Sequence, residues 1–325
     1  MMVREVIAEM KVLVTGGKGF IGSHLVNYLK EKRHWVRSVD IAENSYLKTC
    51  EDEFVHGNLK DFSTVLKVTK DIDWVFNLAA NMGGIGFITS VGANVMRDNA
   101  LININMMEAC MKNNVERIFF SSSACVYPDY RQSNEHSEAL KEEYALPASP
   151  DQFYGWEKLF TEKLMEAYKK DYGINVRIAR FHNIYGPHGT YKGGREKAPA
   201  ALCRKVAMAR DDDGIEIWGD GKQTRSFLYI EDALEAIYKL MQSGYSEPLN
   251  IGSNELITID RLADLIIEIS GRRLTKHYDL SKPQGVRGRN ADLTLITKVL
   301  GWTPKISYKE GLTETYKWIE KMVRG

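Results

Sequence analysis

Four side chains carry, between them, the means for one reaction. Ser123 and Cys125 stand two residues apart in the run SSSACVYP (Ser121–Pro128), directly after the apolar β-run Arg117–Phe120. Tyr154 and Lys158 stand four apart in YGWEK, which places them on one helix face. A neighbouring ammonium favours phenolate and draws a phenol down from its ordinary pKa of about 10. Tyr154 is then able to take the proton of an alcohol near neutral pH while a dinucleotide takes the hydride. Ser123 can hydrogen-bond the same oxygen. A Tyr-x-x-x-Lys pair is common on any helix, so the elements around it must decide whether it is chemical. Cys125 is the unusual member. On an extended strand end, period-two alternation would turn its thiol toward the same cavity as the Ser123 hydroxyl.

The elements that must position these groups read as alternating strands and helices. Lys11–Thr15 is a short apolar strand, and Gly16-Gly17-Lys18-Gly19-Phe20-Ile21-Gly22 leads from it into a helical pattern through Leu25, Val26 and Leu29. A turn of this kind lets backbone approach a pyrophosphate at a helix N-terminus. The next strand, Trp35–Val39, ends at Asp40. A carboxylate there accepts the ribose hydroxyls of NAD and repels the 2′-phosphate of NADP. Phe54–Leu59 reads as the third strand and its turn, with Asn58 placed for the adenine amine and Leu59 beside it. Asp71–Ala80 reads as the fourth, with small Ala79 and Ala80 where backbone nears the cofactor. The expected cofactor set is therefore Gly16, Gly19, Phe20, Ile21, Gly22, Asp40, Asn58, Leu59, Ala79 and Ala80, joined by Tyr154 and Lys158. The alternation predicts an α/β fold, a doubly wound parallel sheet of Rossmann type with a smaller C-terminal α/β domain. Residues 10–182 form the NAD-binding domain on this reading and 183–325 the substrate domain, with about 225–250 returning to the first.

Asn81–Phe87 holds three glycines in four positions and reads as a loop on the ligand side of the sheet. Residues 94–112 are helical by periodicity, and their methionine-rich face reads as core or dimer surface, with Cys110 buried and inert. The chain has 325 residues, 44% hydrophobic, enough for a substantial core, and a net charge of +1. That balance argues against nucleic-acid or membrane partners. Arg4, Glu5 and Glu9 in Met1–Met10 do not suit a secretory signal, and residues 1–9 read as a frayed extension. Four cysteines without paired spacing fit free thiols in the cytoplasm. Cys203 reads as packing, and His182 and His188 as core or hydrogen-bonding histidines with no metal between them.

The layout resembles the extended short-chain dehydrogenase/reductases that act on sugar nucleotides, and within them the GDP-mannose 3,5-epimerases. The matching segments are NLAANMGGIGF (Asn77–Phe87), SSACVYP (Ser122–Pro128), YGWEK (Tyr154–Lys158), RFHNIYGPHG (Arg180–Gly189), KGGREKAPAALCRK (Lys192–Lys205), WGDGKQTRSF (Trp218–Phe227) and GVRGRN (Gly285–Asn290). MGGIGF, SSAC and KGGREKAP are the most specific of these. The resemblance implies NAD as cofactor, GDP-mannose as substrate and a homodimer built from helices at 94–112 and 152–171. It implies that Tyr154 and NAD oxidise C4, that the 4-ketone acidifies C3 and C5, and that Cys125 and Lys197 are the acid/base pair there. It places Gly83, Ser123, Ala124, Cys125, Tyr154, Asn183, Glu196, Lys197 and Ala198 at the sugar or nucleotide. Gln223 and Thr224 belong to the same set. Cationic partners suit a diphosphate, and the candidates are Lys205, Arg225 and Arg287, with Arg289 the weaker.

Arg195 is expected to lower the pKa of Lys197 and Glu196 to raise it. Asn58 stands where the family often has Asp, and the chain has a shorter tail than plant members. Asp211–Asp213 reads as a solvated acidic turn. A sugar-nucleotide 4-epimerase uses the same Ser/Tyr/Lys unit but needs neither Cys125 nor Lys197. A 4,6-dehydratase places an Asp-Glu pair where Ala124-Cys125 stands here. A non-catalytic NAD sensor would lack the Tyr/Lys pair, which is intact.

Overall fold

The computed structural model describes residues 9–150 and 152–325; all but Glu9 of the extension read at the N-terminus lies outside them. Among the described residues, the central sheet holds β1 (Lys11–Thr15), β2 (Trp35–Asp40), β3 (Glu53–His56), β4 (Trp74–Asn77), β5 (Arg117–Ser123), β6 (Asn175–Phe181) and a last strand, Pro248–Ile251. Its order is the last strand, β6, β5, β4, β1, β2, β3. All neighbours are parallel, with Val12 opposite Val36 on one side and Trp74 on the other. The order reverses between β1 and β4, which opens a crevice at the strands' C-terminal ends.

Helices cover both faces because the strands are apolar on both. On one face lie α1 (Phe20–Glu31) and the later helix Ile230–Gln242, on the other α2 (Phe62–Val68), α4 (Gly92–Lys112) and α5 (Phe153–Tyr172); α3 (Ile85–Ser90) packs on α4 and α5, and α6 (Ala198–Met208) lies past the sheet. Val12 and Val14 enter one core with Leu25 and Leu29 of α1. Leu13, pointing the other way, enters a second core with Met106, Met107 and Cys110 of α4. Each such side chain, fully buried, contributes roughly 1.5–3 kcal/mol, so the methionine face of α4 is committed to the core.

The second half is built from short pieces. Thr224–Arg225 pairs with Ile257–Thr258 and Gly288–Arg289, and Gly214–Trp218 pairs with Thr275–Asp279. Between them the chain returns to the main sheet, where Leu249 lies opposite Ala179. The helix Tyr308–Arg324 starts from a capping box of Ser307 and Glu310. Among the described residues no helix is long and apolar enough to cross a membrane.

Two local expectations are corrected. The glycine-rich loop turns helical at Ile85, directly after Gly84. Cys125 does not continue a strand: Ala124–Val126 is a 3₁₀ turn. Ser123 is the last residue of β5 paired with β6, opposite Phe181, so the ladder offers nothing further. The Ser123 hydroxyl then accepts the Cys125 backbone N–H at 3.1 Å and closes a turn instead.

Candidate active site

A cavity of about 790 Å³ opens along the crevice, within the range that holds small ligands. At one end it is lined by Gly16, Gly19, Phe20, Ile21, Gly22, Asp40, Asn58, Leu59, Ala79 and Ala80. With Tyr154 and Lys158, all twelve residues expected at a dinucleotide line this cavity. Gly16 has φ +69°, and a Cβ on Gly22 would stand 2.0 Å from the Gly16 carbonyl oxygen, so neither position accepts a larger residue. Gly19 caps α1 with no side-chain bond, which leaves the first N–H groups of the helix for an anion. The Asp40 carboxylate accepts backbone N–H groups of Lys18 and Ala42, each at 2.9 Å, one on each oxygen. A carboxylate has about four acceptor sites, so two remain for vicinal hydroxyls. Lys18, the cation of this turn, is held by Thr49 at 2.7 Å and paired with Glu51. The cradle fits a dinucleotide with free ribose hydroxyls. Asn58 is less free than its sequence position suggests, because its Oδ1 accepts the Lys60 N–H at 3.0 Å.

Tyr154 and Lys158 reach the middle of the cavity from α5, and Ser123 from the end of β5. Two buried polar systems bolt α5 in place. Arg180 of β6 donates to both oxygens of Glu162 at 2.9 and 2.7 Å, and Ser122 bonds the same carboxylate. Glu157 accepts Asn103 at 2.7 Å and Thr161 at 2.9 Å; Asn103 in turn accepts Asn77, which accepts Thr15. The chain of bonds runs from the glycine turn to the catalytic helix. Gly155 completes the fit, since a Cβ there would stand 2.1 Å from the Cys125 carbonyl oxygen.

Electrostatics revise one expectation. Burial pushes the Tyr154 phenol well above its ordinary value, Cys125 and Glu157 push the same way, and a hydrogen bond with Ser123 draws it down. Any lowering by Lys158, whose Nζ lies 5.5 Å from the Tyr154 ring centroid, is outweighed by desolvation. Lys158 itself is drawn down by burial, against the upward pull of Glu157, Cys125 and Glu162.

Lys197 lines the same cavity from the cap of α6. Cys125, turned by the 3₁₀ segment, lies outside the cavity lining, half-buried and packed on the cluster of Ile88, Val95 and Tyr154. Burial draws the Lys197 amine below its ordinary value, Cys125 opposes this, and Arg289 adds to it. Arg195 and Glu196 do not set the Lys197 pKa as expected. The Arg195 guanidinium lies over the Phe87 ring, 3.8 Å from its centroid. Glu196 is held by Arg204 at 3.1 Å and by the Gly194 N–H at 2.7 Å. Arg289, weakest of the cation candidates in the sequence, donates to the Cys125 sulfur at 3.4 Å and bonds Gln132.

The remaining sugar-nucleotide candidates divide. Gly83 lines the cavity with Ser123, Tyr154 and Lys197. The others lie outside that lining, each engaged by protein. The Ala124 side chain is in a small core with Val126 and Tyr127. Asn183 donates to the Ser226 carbonyl at 3.0 Å, and Ala198 opens α6. Lys205 bonds the Glu216 carbonyl at 2.7 Å and Arg225 the Val286 carbonyl at 2.6 Å. Gln223 is buried, with Nε2 on the Trp218 carbonyl at 2.9 Å and Oε1 without a partner. Thr224 bonds the Glu135 carbonyl. Arg287 forms two 2.9 Å bonds to Asp220 and pairs with Glu135. His182 is buried and bonds Asn250 at 2.9 Å, and among the described residues no group of His, Cys, Asp and Glu could hold a metal. Glu157, Asn103 and Gly155 were missed in the sequence. Their only signal there was a carboxylate between Gly155 and Lys158, which looks like any solvated helix residue.

Residues 12–252 match the model of the NAD dependent epimerase/dehydratase family. The chain is 46% identical over 318 residues to a GDP-mannose 3,5-epimerase of Arabidopsis thaliana, covering 97% of this chain and 83% of that protein. Among solved structures, it resembles a UDP-glucose 4-epimerase from Thermotoga maritima bound to UDP-glucose, with a TM-score of 0.84 and 26% identity, covering 96% of this chain and 99% of that one. It also resembles MoeE5 in complex with UDP-glucose and NAD, with a TM-score of 0.83 and 28% identity, over 96% of this chain and 99% of that one.

Proposed function

Because the chain belongs to the NAD dependent epimerase/dehydratase family, we propose that it is an NAD-dependent GDP-mannose 3,5-epimerase. Its products are then GDP-L-galactose and GDP-L-gulose. The observation that carries this reading is the meeting of two acid/base systems. Ser123, Tyr154, Lys158 and Lys197 line one cavity, and Cys125, just behind that lining, packs with Tyr154 and accepts from Arg289. The identity to a named 3,5-epimerase over nearly the whole chain supports it.

Gly16, Gly19 and Gly22 with the first turn of α1 would hold the pyrophosphate of NAD, Asp40 its ribose, and Asn58 and Leu59 the adenine. NAD, when bound, would supply reversible hydride acceptance at C4. Tyr154 takes the C4 hydroxyl proton, with Ser123 holding the oxygen; a phenol raised by burial does this only as phenolate, so oxidation at C4 should quicken as pH rises. The ketone at C4 acidifies the hydrogens on C3 and C5, which Cys125 and Lys197 exchange from opposite faces. The lowered pKa of Lys197 brings the amine nearer to use as a base. Each placed acid or base is worth roughly 10²–10⁴-fold. Lys205, Arg225 and Arg287 serve the diphosphate by exchanging their protein partners for phosphate oxygens. Residues 183–325, apart from the returning strand, hold the sugar nucleotide in this division of the chain.

A homodimer through α4 and α5 belongs to the same reading. Phe153, Trp156 and Phe160 of α5 and Met96 and Leu101 of α4 are exposed, an apolar surface that a second copy would cover. Solution scattering checks it, and a monomer would overturn it. The four cysteines are free, which supports the reducing cytoplasm as the setting for a working thiol. The decisive experiment incubates GDP-mannose with the protein and NAD in deuterated water. Deuterium should appear at C5 and C3. Turnover at C4 with no exchange at either carbon would make the protein a 4-epimerase.

A further inference from the structure

Two of the three segments that most specifically carry the family resemblance, MGGIGF and KGGREKAP, touch each other. The Gly84 N–H donates to the Arg195 carbonyl at 3.0 Å. A Cβ on Gly84 would stand 2.7 Å from the Glu196 carbonyl oxygen, so the approach requires glycine. Three residues after Gly84, the Phe87 ring is covered by the Arg195 guanidinium at 3.8 Å from its centroid. Phe87 belongs to α3, whose Ile88 is buried with Tyr154 and Val95, and the same cluster receives Cys125. A continuous path of packing thus leads from the backbone beside Lys197, through Arg195, Phe87 and Ile88, to Cys125. Arg195 does not tune the Lys197 pKa, which burial, Cys125 and Arg289 set. Its charge is turned onto an aromatic face instead.

We infer that Arg195 and Phe87 form a cation–π clasp whose work is to place Lys197 relative to Cys125. It rests on the 3,5-epimerase reading, because only that chemistry needs the two groups registered across one sugar. Arg195 and Phe87 are positioning residues, with no proton to move. Their loss should impair exchange at C5 and C3 and spare oxidation at C4, since Ser123, Tyr154 and Lys158 stand on β5 and α5 and owe their placement to the Arg180–Glu162 and Glu157 systems.

The test uses the full chain with NAD and GDP-mannose in deuterated water, reading solvent deuterium at C5 and C3 and, separately, the absorbance of reduced nicotinamide. The variants are Phe87→Leu, Phe87→Tyr, Arg195→Gln and the Phe87→Leu/Arg195→Gln pair. A misplacement of around 1 Å costs up to about 100-fold, so Phe87→Leu and Arg195→Gln should each slow exchange roughly 10- to 100-fold. Nicotinamide reduction should stay within about threefold of the unmodified protein. Phe87→Tyr keeps the ring face and should restore exchange, which also guards against a folding failure in Phe87→Leu. The double variant should be no slower than the slower single one, because both break the same contact. Multiplicative losses in the double variant would overturn the clasp. So would a parallel fall in oxidation and exchange, or a raised KM in Arg195→Gln alone, which would make Arg195 a ligand contact. No exchange in the unmodified protein would instead remove the 3,5-epimerase reading, and the clasp's role with it.

Discussion

Gly155→Ala should be a costly methyl group for the chemistry. Gly155 follows Tyr154 on α5, and a Cβ built on it stands 2.1 Å from the backbone oxygen of Cys125 and 2.9 Å from the Pro150 side chain. A close C–H···O contact is about 3.3 Å, so helix and 3₁₀ turn must part by about 1 Å. The oxygen is backbone and cannot swing aside. The helix resists too, because Glu162 is tied to Arg180 and Glu157 to Asn103. Overpacking of this kind costs about 1–3 kcal/mol of stability. The chemistry should suffer more, because the displaced pieces carry Tyr154 on one side and Ser123 and Cys125 on the other. A 1 Å error in such placement costs roughly 100-fold in rate. Calorimetry should show a folded protein with a lowered Tm, and single-turnover nicotinamide reduction and deuterium exchange should both fall by about two orders of magnitude. A folded variant with both rates within about threefold of the unmodified protein would refute the claim that this contact registers the catalytic groups.

Two further predictions concern charge and pH. Lys197 is buried with its pKa below the ordinary value, so its charged form opposes folding at pH values under the folded pKa, and that cost fades as pH rises toward about 10.4. Lys197→Met should therefore raise Tm near neutral pH while abolishing exchange at C5 and C3; a lowered Tm would show that the buried amine is fully compensated. His182 is held at about 3 by burial, against an ordinary 6.5, with Arg289 and Arg180 adding to the downward push and its bond to Asn250 opposing it. The folded state binds fewer protons than the unfolded one between those values, so this contribution is whole above 6.5 and lost as pH falls toward 3. His182→Phe leaves Asn250 Oδ1 bonded to Tyr127 at 2.6 Å, and should flatten the fall in urea-unfolding stability between about pH 6.5 and 4. An unchanged slope would mean that other groups dominate acid unfolding.

Much of this protein is legible without coordinates, where the physics is local. The alternation of apolar runs with helical periodicity is enough for a doubly wound sheet, because each pattern can bury its apolar surface only against the other. The glycine turn and Asp40 are local in the same sense: they belong to one β-α-β unit, and the residues expected at a dinucleotide line one cavity. Tyr154 and Lys158 needed only the helical repeat. What tertiary structure decided is whatever depends on a neighbour distant in the chain. Cys125 left the strand because β6 ends opposite Ser123, and β5 carries no sign of that in its own residues. Glu157 and Arg195 look like solvated charges in sequence, yet one is on the buried face of the catalytic helix and the other lies on Phe87. Arg287 and Arg289 present the same cation in sequence, but carboxylates from two remote loops hold Arg287, while Arg289 reaches the Cys125 sulfur. Desolvation, which pushed Tyr154 up where its neighbour promised to draw it down, is a property of the assembled interior, and no spacing of residues along a chain encodes it directly.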